Sequence, residues 1–251
     1  MTALLVEQVS KAFGGLTVLD DVAMHVDAGG LTGLIGPNGA GKSTLFAVIS
    51  GYIAPDAGTV RFDDREIVGL PVEERAGAGI GRTFQIPRPF GHLSVRQNLA
   101  AGAPRQGGER LINVFFRPGR VRRRETEVTD KVDEIVSFLR LEGVADTPAM
   151  KLSGGQRKLL ELGRALMTEP RFLMLDEPFA GVNARLIDDL AARIADLNAR
   201  GIGCLVVEHN IQALSRLVGD LYVMDWGQIL AHGPPEQVLA DPKVQNAYIG
   251  G

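Results

Sequence analysis

The chain has 251 residues, 45% of them apolar, with 27 basic and 30 acidic side chains and a formal charge of −3. That composition belongs to a folded globular protein and excludes a disordered one. The slight negative charge argues against a general nucleic-acid binder. No stretch approaches the roughly 18 apolar residues needed to span a bilayer. The start, MTALLVEQVSKAFGG, lacks the charged region and apolar block of a signal peptide. The expectation is a cytosolic chain that reaches a membrane only through a partner. Cys204, the single cysteine, cannot form an internal disulfide. Its apolar surroundings predict a buried strand thiol in a reducing compartment.

Residues 3–9 (ALLVEQV) and 18–26 (VLDDVAMHV) read as strands, with turns at Gly14-Gly15 and Gly29-Gly30. LTGLIG (31–36) is a short apolar strand running into a glycine loop. STLFAVISGY is then a helix stopped near Gly51. GTVRFDDREI predicts a further strand and turn. Over 86–150 the character changes: PRPF, APRQGG and RPGR are breakers, and Val128, Val132, Ile135, Val136 and Leu139 form one helical stripe. From Arg171 the pattern returns to RFLMLDEP (strand), ARLIDDLAARIADLNARG (helix), IGCLVVEH (strand) and LVGDLYVMDWGQILAHG. Short apolar strands alternating with helices predict an α/β fold with a mostly parallel sheet and a helical insert.

GPNGAGKST (36–44) contains G-x-x-x-x-G-K-[ST]. The glycines let the backbone of Gly36, Pro37–Ala40 and Gly41 curl so that its N–H groups, all but that of Pro37, which has none, face phosphate oxygens. Lys42 adds a charge at the β and γ phosphates, Ser43 offers a hydroxyl to Mg²⁺, and the helix through Thr44 presents its positive end. RFLMLDE (171–177) is a buried strand delivering Asp176 to a ligand-binding strand end. Asp176 is placed to hold Mg²⁺ mostly through water, and Glu177 to polarise an attacking water. A second glycine loop, LSGGQ at Leu152–Gln156, opens another helix. It too has the build of an anion cradle.

The order of phosphate loop, Gln85, LSGGQ, LMLDEP and His209 resembles the ATP-binding subunit of ABC transporters, over essentially the whole chain. The resemblance implies a P-loop NTPase core with an N-terminal antiparallel β part. It implies one nucleotide-binding domain over 1–251, with a catalytic lobe of 1–85 and 166–251 and a helical signature subdomain of 86–165. Its substrate and cofactor are ATP and Mg²⁺. Phe13 takes the place of the aromatic that stacks on adenine, tyrosine in many relatives; an ordinary core ring is the alternative. Gln85 takes the place of the glutamine reaching Mg²⁺ and the attacking water. His209 takes that of the switch histidine on the γ-phosphate. Ser153, Gly154, Gly155 and Gln156 are implied to face the ATP held by another subunit, so that two chains pair head to tail around two nucleotides. Val182-Asn183 replaces the family's usual leucine–aspartate pair, losing a charge but keeping shape.

FGGLTVLDDV, GRTFQIPRPFGHLSVRQNL, VVEHN and GPPEQVLADPKVQNAYIG are similar to importers of branched-chain amino acids. Importers of urea and short amides look alike, and LDEPFAGV is shared with the lipopolysaccharide exporter ATPase. The resemblance implies transmembrane permease subunits, a second ATPase subunit of the same or a paralogous chain, and, indirectly, a periplasmic solute-binding protein, with no nucleic acid. The chain is implied to lie on the inner face of the cell membrane. An ABC ATPase without transmembrane subunits would bring a coiled coil, a zinc hook or a second cassette, and none is in the sequence. Residues 105–124 hold seven arginines and one acid. Arg122–Arg124 are expected where the helix through Val128–Leu139 begins, an unfavourable place for positive charge. The segment is either a solvated loop or a surface facing acidic partner residues or anionic head groups.

Overall fold

The computed structural model describes residues 2–83, 89–104 and 118–249. Backbone proximity divides the chain into two units, residues 1–85 with 171–251, and residues 86–170.

In the first unit, β1 (Thr2–Phe13) and β2 (Leu16–Asp27) form an antiparallel hairpin. Its two-residue turn, Gly14-Gly15, has φ of +54° and +87°, values that glycine adopts without steric cost. The strands run past the expected 3–9 and 18–26. Irregular register, with positive φ at Gln8 and Asp21, breaks the alternation that sequence reading relies on. With β4 (Ala57–Phe62) and β5 (Arg65–Glu66) they make a sheet of order β2-β1-β4-β5.

The second sheet of this unit has order β10-β9-β3-β8-β7-β6. It comprises β3 (Leu31–Ile35), β6 (Ile80–Arg82), β7 (Phe172–Asp176), β8 (Gly203–Val207), β9 (Asp220–Asp225) and β10 (Gln228–Gly233). Its pairings are parallel except for the β9–β10 hairpin. Every residue of β7 and β8 is buried, which is why both read as unbroken apolar runs rather than alternating ones. Cys204 lies on β8, and burial pushes its thiol up to about 12, so it is an inert core side chain. Three-residue β6, with a central glycine, carries too little pattern to be read from sequence.

Helix α1 (Lys42–Ser50) follows β3 and stops at Gly51, whose φ is +87°. Leu45, Phe46, Val48 and Ile49 are fully buried in one core with residues of both sheets, among them Leu4, Val22, Phe172 and Leu205. The last carbonyls of α1 meet buried Arg75 of α2 (Val72–Gly77), whose Nη1 donates to Val48 and Ile49, each at 2.7 Å. The cation thus sits at the negative end of the helix. Helices α6 (Ala184–Ala199), α7 (Ile211–Leu217), α8 (Pro235–Ala240) and α9 (Pro242–Ile249) complete this unit.

The second unit holds α3 (Val95–Ala101), α4 (Pro118–Phe138) and α5 (Gly154–Leu166). The predicted stripe is the inner face of α4 and the residue just past its end: Val132, Ile135 and Val136 are buried, as is Leu139 beyond the helix, and Val128 is half-buried. The helix starts earlier than expected. RPGR, read as a breaker, supplies Pro118 as the first helical residue, where proline's missing N–H costs nothing. Arg122–Arg124 therefore lie beyond the first turn, and Glu127 receives Arg123 at 3.1 Å and Arg124 at 3.2 Å. The rest of the arginine-rich stretch, 105–117, lies outside the described residues.

Gly163 of α5 lets α3 and α4 approach: a Cβ there would stand 2.7 Å from Leu99, 2.8 Å from Leu139 and 3.1 Å from Ile135. Replacing Gly163 by Val overpacks this contact. The expected cost is about 1–3 kcal/mol, read as a lower urea midpoint with an unchanged denaturant slope.

Candidate functional site

The parallel register brings three strand ends level. Leu34 of β3 pairs with Val207 of β8, and Val207 pairs with Asp176 of β7. The loops that follow, starting at Gly36, Glu177 and Glu208, therefore leave the sheet from one edge.

Gly36–Gly41 form the loop between β3 and α1. Backbone packs too closely behind it for any side chain. A Cβ on Gly36 would stand 2.1 Å from the Met224 carbonyl oxygen, and one on Gly41 2.6 Å from that of Val18. On the other side, a Cβ on Gly39 would meet nothing within 4 Å. The loop is thus supported from behind and open in front. Pro37 is half-buried, Asn38 exposed and Ala40 buried. The Ala40 carbonyl accepts from the Gly227 N–H at 3.1 Å. Lys42 opens α1, buried, with Nζ donating to the carbonyls of Gly36 at 2.7 Å and Pro37 at 2.8 Å. Burial lowers its pKa, against the opposing pull of Glu177 and Asp176. Ser43 is exposed and Thr44 half-buried.

Asp176 is buried at the end of β7. Glu177 sits at φ +47°, an uncommon conformation for a side chain with a Cβ. Its N–H donates to the Val207 carbonyl at 2.9 Å, and its Oε1 lies 3.0 Å from His209 Nε2. Strain of this kind costs of order 1–3 kcal/mol and clusters where chemistry is done. Phe13 ends β1 with its ring half-exposed, and Lys11 Nζ lies 5.4 Å from the ring centroid. It is no core ring. Gln85 lies outside the described residues.

In the second unit, Ser153 caps α5 and accepts the Gln156 N–H at 3.2 Å, while Gln156 Oε1 accepts the Ser153 N–H at 3.0 Å. The signature is thus a capping box. Gly154 stands exposed, with nothing within 4 Å of its Cβ position. Gly155 is buried. Asn183 caps α6 through Oδ1, which accepts the Leu186 N–H at 3.0 Å. Asparagine and aspartate cap about equally well, so the charge lost there leaves the cap intact.

Two residues of this edge escaped the sequence reading. Glu208 is buried and ties two loops together: Oε1 accepts the Phe179 N–H at 2.5 Å, and Oε2 those of His209 at 3.0 Å and Asn210 at 3.3 Å. Burial raises its pKa, while these three bonds and the charge of Glu177 pull in opposite directions. Arg82, at the end of β6, pairs with Asp176 at 3.2 Å. The signal for both was a charge at the end of a buried strand, VVE for one and GIGR for the other.

Among the described residues, no three His, Cys, Asp or Glu side chains group to hold a metal. A buried carboxylate, Asp176, and an exposed hydroxyl, Ser43, on one loop edge nevertheless suit magnesium. That ion takes hard oxygens and keeps several waters beside one or two carboxylates and substrate phosphates. No helix among the described residues is long and apolar enough to cross a membrane.

The family model "ABC transporter" matches residues 19–180, and "Branched-chain amino acid ATP-binding cassette transporter" matches 228–251. The chain is 41% identical to the "Probable branched-chain amino acid transport ATP-binding protein LivG" of Methanocaldococcus jannaschii, over 100% of this chain and 98% of that one. It is 34% identical to the lipopolysaccharide export system ATP-binding protein LptB of Escherichia coli K12, over 100% and 98%. A crystal structure of a nucleotide-free ATP-binding cassette from an ABC transporter superposes with a TM-score of 0.88, at 40% identity and full coverage of both chains. The ADP conformation of an ATP-binding cassette gives 0.84 at 39% identity, again with full coverage of both.

Glu208→Ala leaves three N–H groups without their acceptor. The expected loss is about 1–3 kcal/mol of stability, measured by chemical denaturation.

Proposed function

The chain belongs to the ABC transporter ATP-binding family, and from that premise we propose that it powers import of branched-chain amino acids or a related small polar solute through separate transmembrane subunits. It is an ATPase subunit of an ABC transporter. The choice of solute is supported by the two relatives named LivG, at 41% and 39%, against 34–35% for those named LptB, and by the C-terminal match over 228–251. A lipid exporter is the second reading, favoured only by that lower identity. A periplasmic solute-binding protein and a position on the inner face of the membrane belong to the importer reading.

The observation that carries the mechanism is the convergence of Lys42, Glu177 and His209 on one strand edge. In this reading Phe13 stacks on adenine and the N–H groups of 36–44 hold the phosphates. Lys42 exchanges the Gly36 and Pro37 carbonyls for β- and γ-phosphate oxygens. Glu177 accepts a proton from the attacking water. His209, donating from Nε2, aims the Glu177 carboxylate and reaches the γ-phosphate. Ser43, Asp176 and Gln85 would hold magnesium, which supplies positive charge to the β and γ oxygens. In the signature, the side chains of Ser153 and Gln156 are spent on the capping box, which leaves the remaining N–H groups at the start of α5 to meet phosphate. The phosphate they meet belongs to a second chain, paired head to tail. We take 86–165 as the helical part that carries the signature, and 1–85 with 166–251 as the catalytic lobe.

Light scattering tests the pairing. Glu177→Gln should dimerise with ATP, and adding Ser153→Arg should abolish the dimer. A Glu177→Gln chain that stays monomeric at saturating ATP, alone and when mixed with a paralogous cassette, overturns the head-to-tail reading. The solute is tested in proteoliposomes with the transmembrane and binding subunits: leucine or valine should raise ATP hydrolysis several-fold. Stimulation by a lipopolysaccharide-like cargo instead would select the exporter.

A further inference from the structure

Arg82 lies three residues before Gln85 and joins two of the other motifs. It closes β6, where it pairs in register with Met174 of β7. Its Nη2 donates to Asp176 Oδ2 at 3.2 Å and its Nη1 to Ser50 Oγ at 2.6 Å. The paired side chains are only 15% and 9% exposed. Ser50 is the last residue of α1, and its hydroxyl donates in turn to the Phe46 carbonyl at 2.5 Å. The guanidinium lies 5.7 Å from the Phe46 ring centroid and 5.5 Å from that of Tyr52. The next residue, Thr83, accepts the Asp176 N–H on Oγ1 at 3.3 Å and donates its own N–H to the Met174 carbonyl at 2.9 Å. Residues 82 and 83 therefore grip both the side chain and the backbone of Asp176, and the grip is anchored on the helix that begins at Lys42.

A buried ion pair by itself is weak evidence of stabilisation, since an apolar pair of similar volume often does as well. What distinguishes this one is where its carboxylate lies. We propose that Arg82 is a positioning residue for magnesium-bound ATP: it fixes the orientation of the Asp176 carboxylate and ties that orientation to the phosphate-loop helix through Ser50, Phe46 and Tyr52. The inference rests on the reading of Asp176 as the magnesium-holding carboxylate. Partners that orient a metal-holding side chain are worth about 10–100-fold in metal affinity. A guanidinium can fix a carboxylate in a way that a rotating ammonium cannot.

The opposite effect is physically available, which makes the test sharp. If Arg82 is only a nearby positive charge, its removal strengthens attraction for a divalent cation. The experiment binds a fluorescent ATP analogue to the full chain, first in EDTA and then with magnesium titrated in. The proteins are the wild type, Arg82→Met, Arg82→Lys and Ser50→Ala. In EDTA all four should bind within about twofold of one another. The magnesium concentration giving half of the tightened state should rise about tenfold in Arg82→Met, and less in Arg82→Lys and Ser50→Ala. Equal weakening with and without magnesium reduces Arg82 to a structural role and overturns the proposal. So does an unmoved or lowered magnesium midpoint. If Arg82→Met does not fold, Ser50→Ala carries the test, and no shift there overturns it. Asp176→Asn is the control: an unchanged magnesium dependence in that variant shows that the reading of Asp176 itself has failed.

Discussion

The chemistry of this protein depends on backbone pairing before it depends on any side chain. Because β3, β8 and β7 run parallel with Leu34, Val207 and Asp176 in line, three loops far apart in sequence start at one level. Parallel strands must be joined by crossovers, which bury both faces of the sheet and leave its ends to carry function. The backbone bonds continue beyond the strands: the Glu177 N–H reaches Val207 at 2.9 Å, and that of Glu208 reaches Leu34 at 3.4 Å. A carboxylate, an imidazole and an ammonium are thus carried to one edge by strands that are paired backbone to backbone.

The phosphate loop is held from behind by segments that sequence reading treats as bystanders. The turn between β9 and β10 donates the Gly227 N–H to Ala40 and accepts the Asp20 N–H on the Gly227 carbonyl, at 3.1 Å and 2.9 Å. The Met224 carbonyl backs Gly36 and the Val18 carbonyl backs Gly41. These glycines are needed because backbone passes where a Cβ would stand; the open face needs glycine only at Gly39, for its φ of +83°. Electrostatic order comes from buried Glu208 and partly buried Arg82, each held by groups from a neighbouring loop or helix. The net worth of such pairs is small, but removing one member leaves the other exposed to the full cost of burial.

The helical unit follows a different rule. Two of its helices, α3 and α5, start with a reciprocal capping box, Ser94 with Gln97 and Ser153 with Gln156. In α3 the box closes a helix start that nearby Asn98 ties to residues 90–94. In α5 the same chemistry leaves Gly154 exposed. One local motif therefore serves as ordinary helix architecture in one place and carries an open glycine surface in the other.

The sequence alone determined what depends on spacing. The phosphate loop, the acids after LMLD, the signature, the helical stripe of α4 and the parallel class of the sheet are all set by residues near one another in the chain. Period and motif preserve that information. The tertiary structure decided what depends on residues distant in sequence. It set the strained φ of Glu177, the contact with His209 32 positions away, the Arg82–Asp176 pair across 94 positions and the backing of Gly36 by Met224. It also set the boundaries that local signals misplace, such as the bulged ends of β1 and β2, brief β6 and the start of α4 at Pro118. The physical reason is the same in each case. Propensity and periodicity record the local preference of the chain, whereas a buried charge or a carbonyl behind a glycine finds its partner only when the sheet has closed.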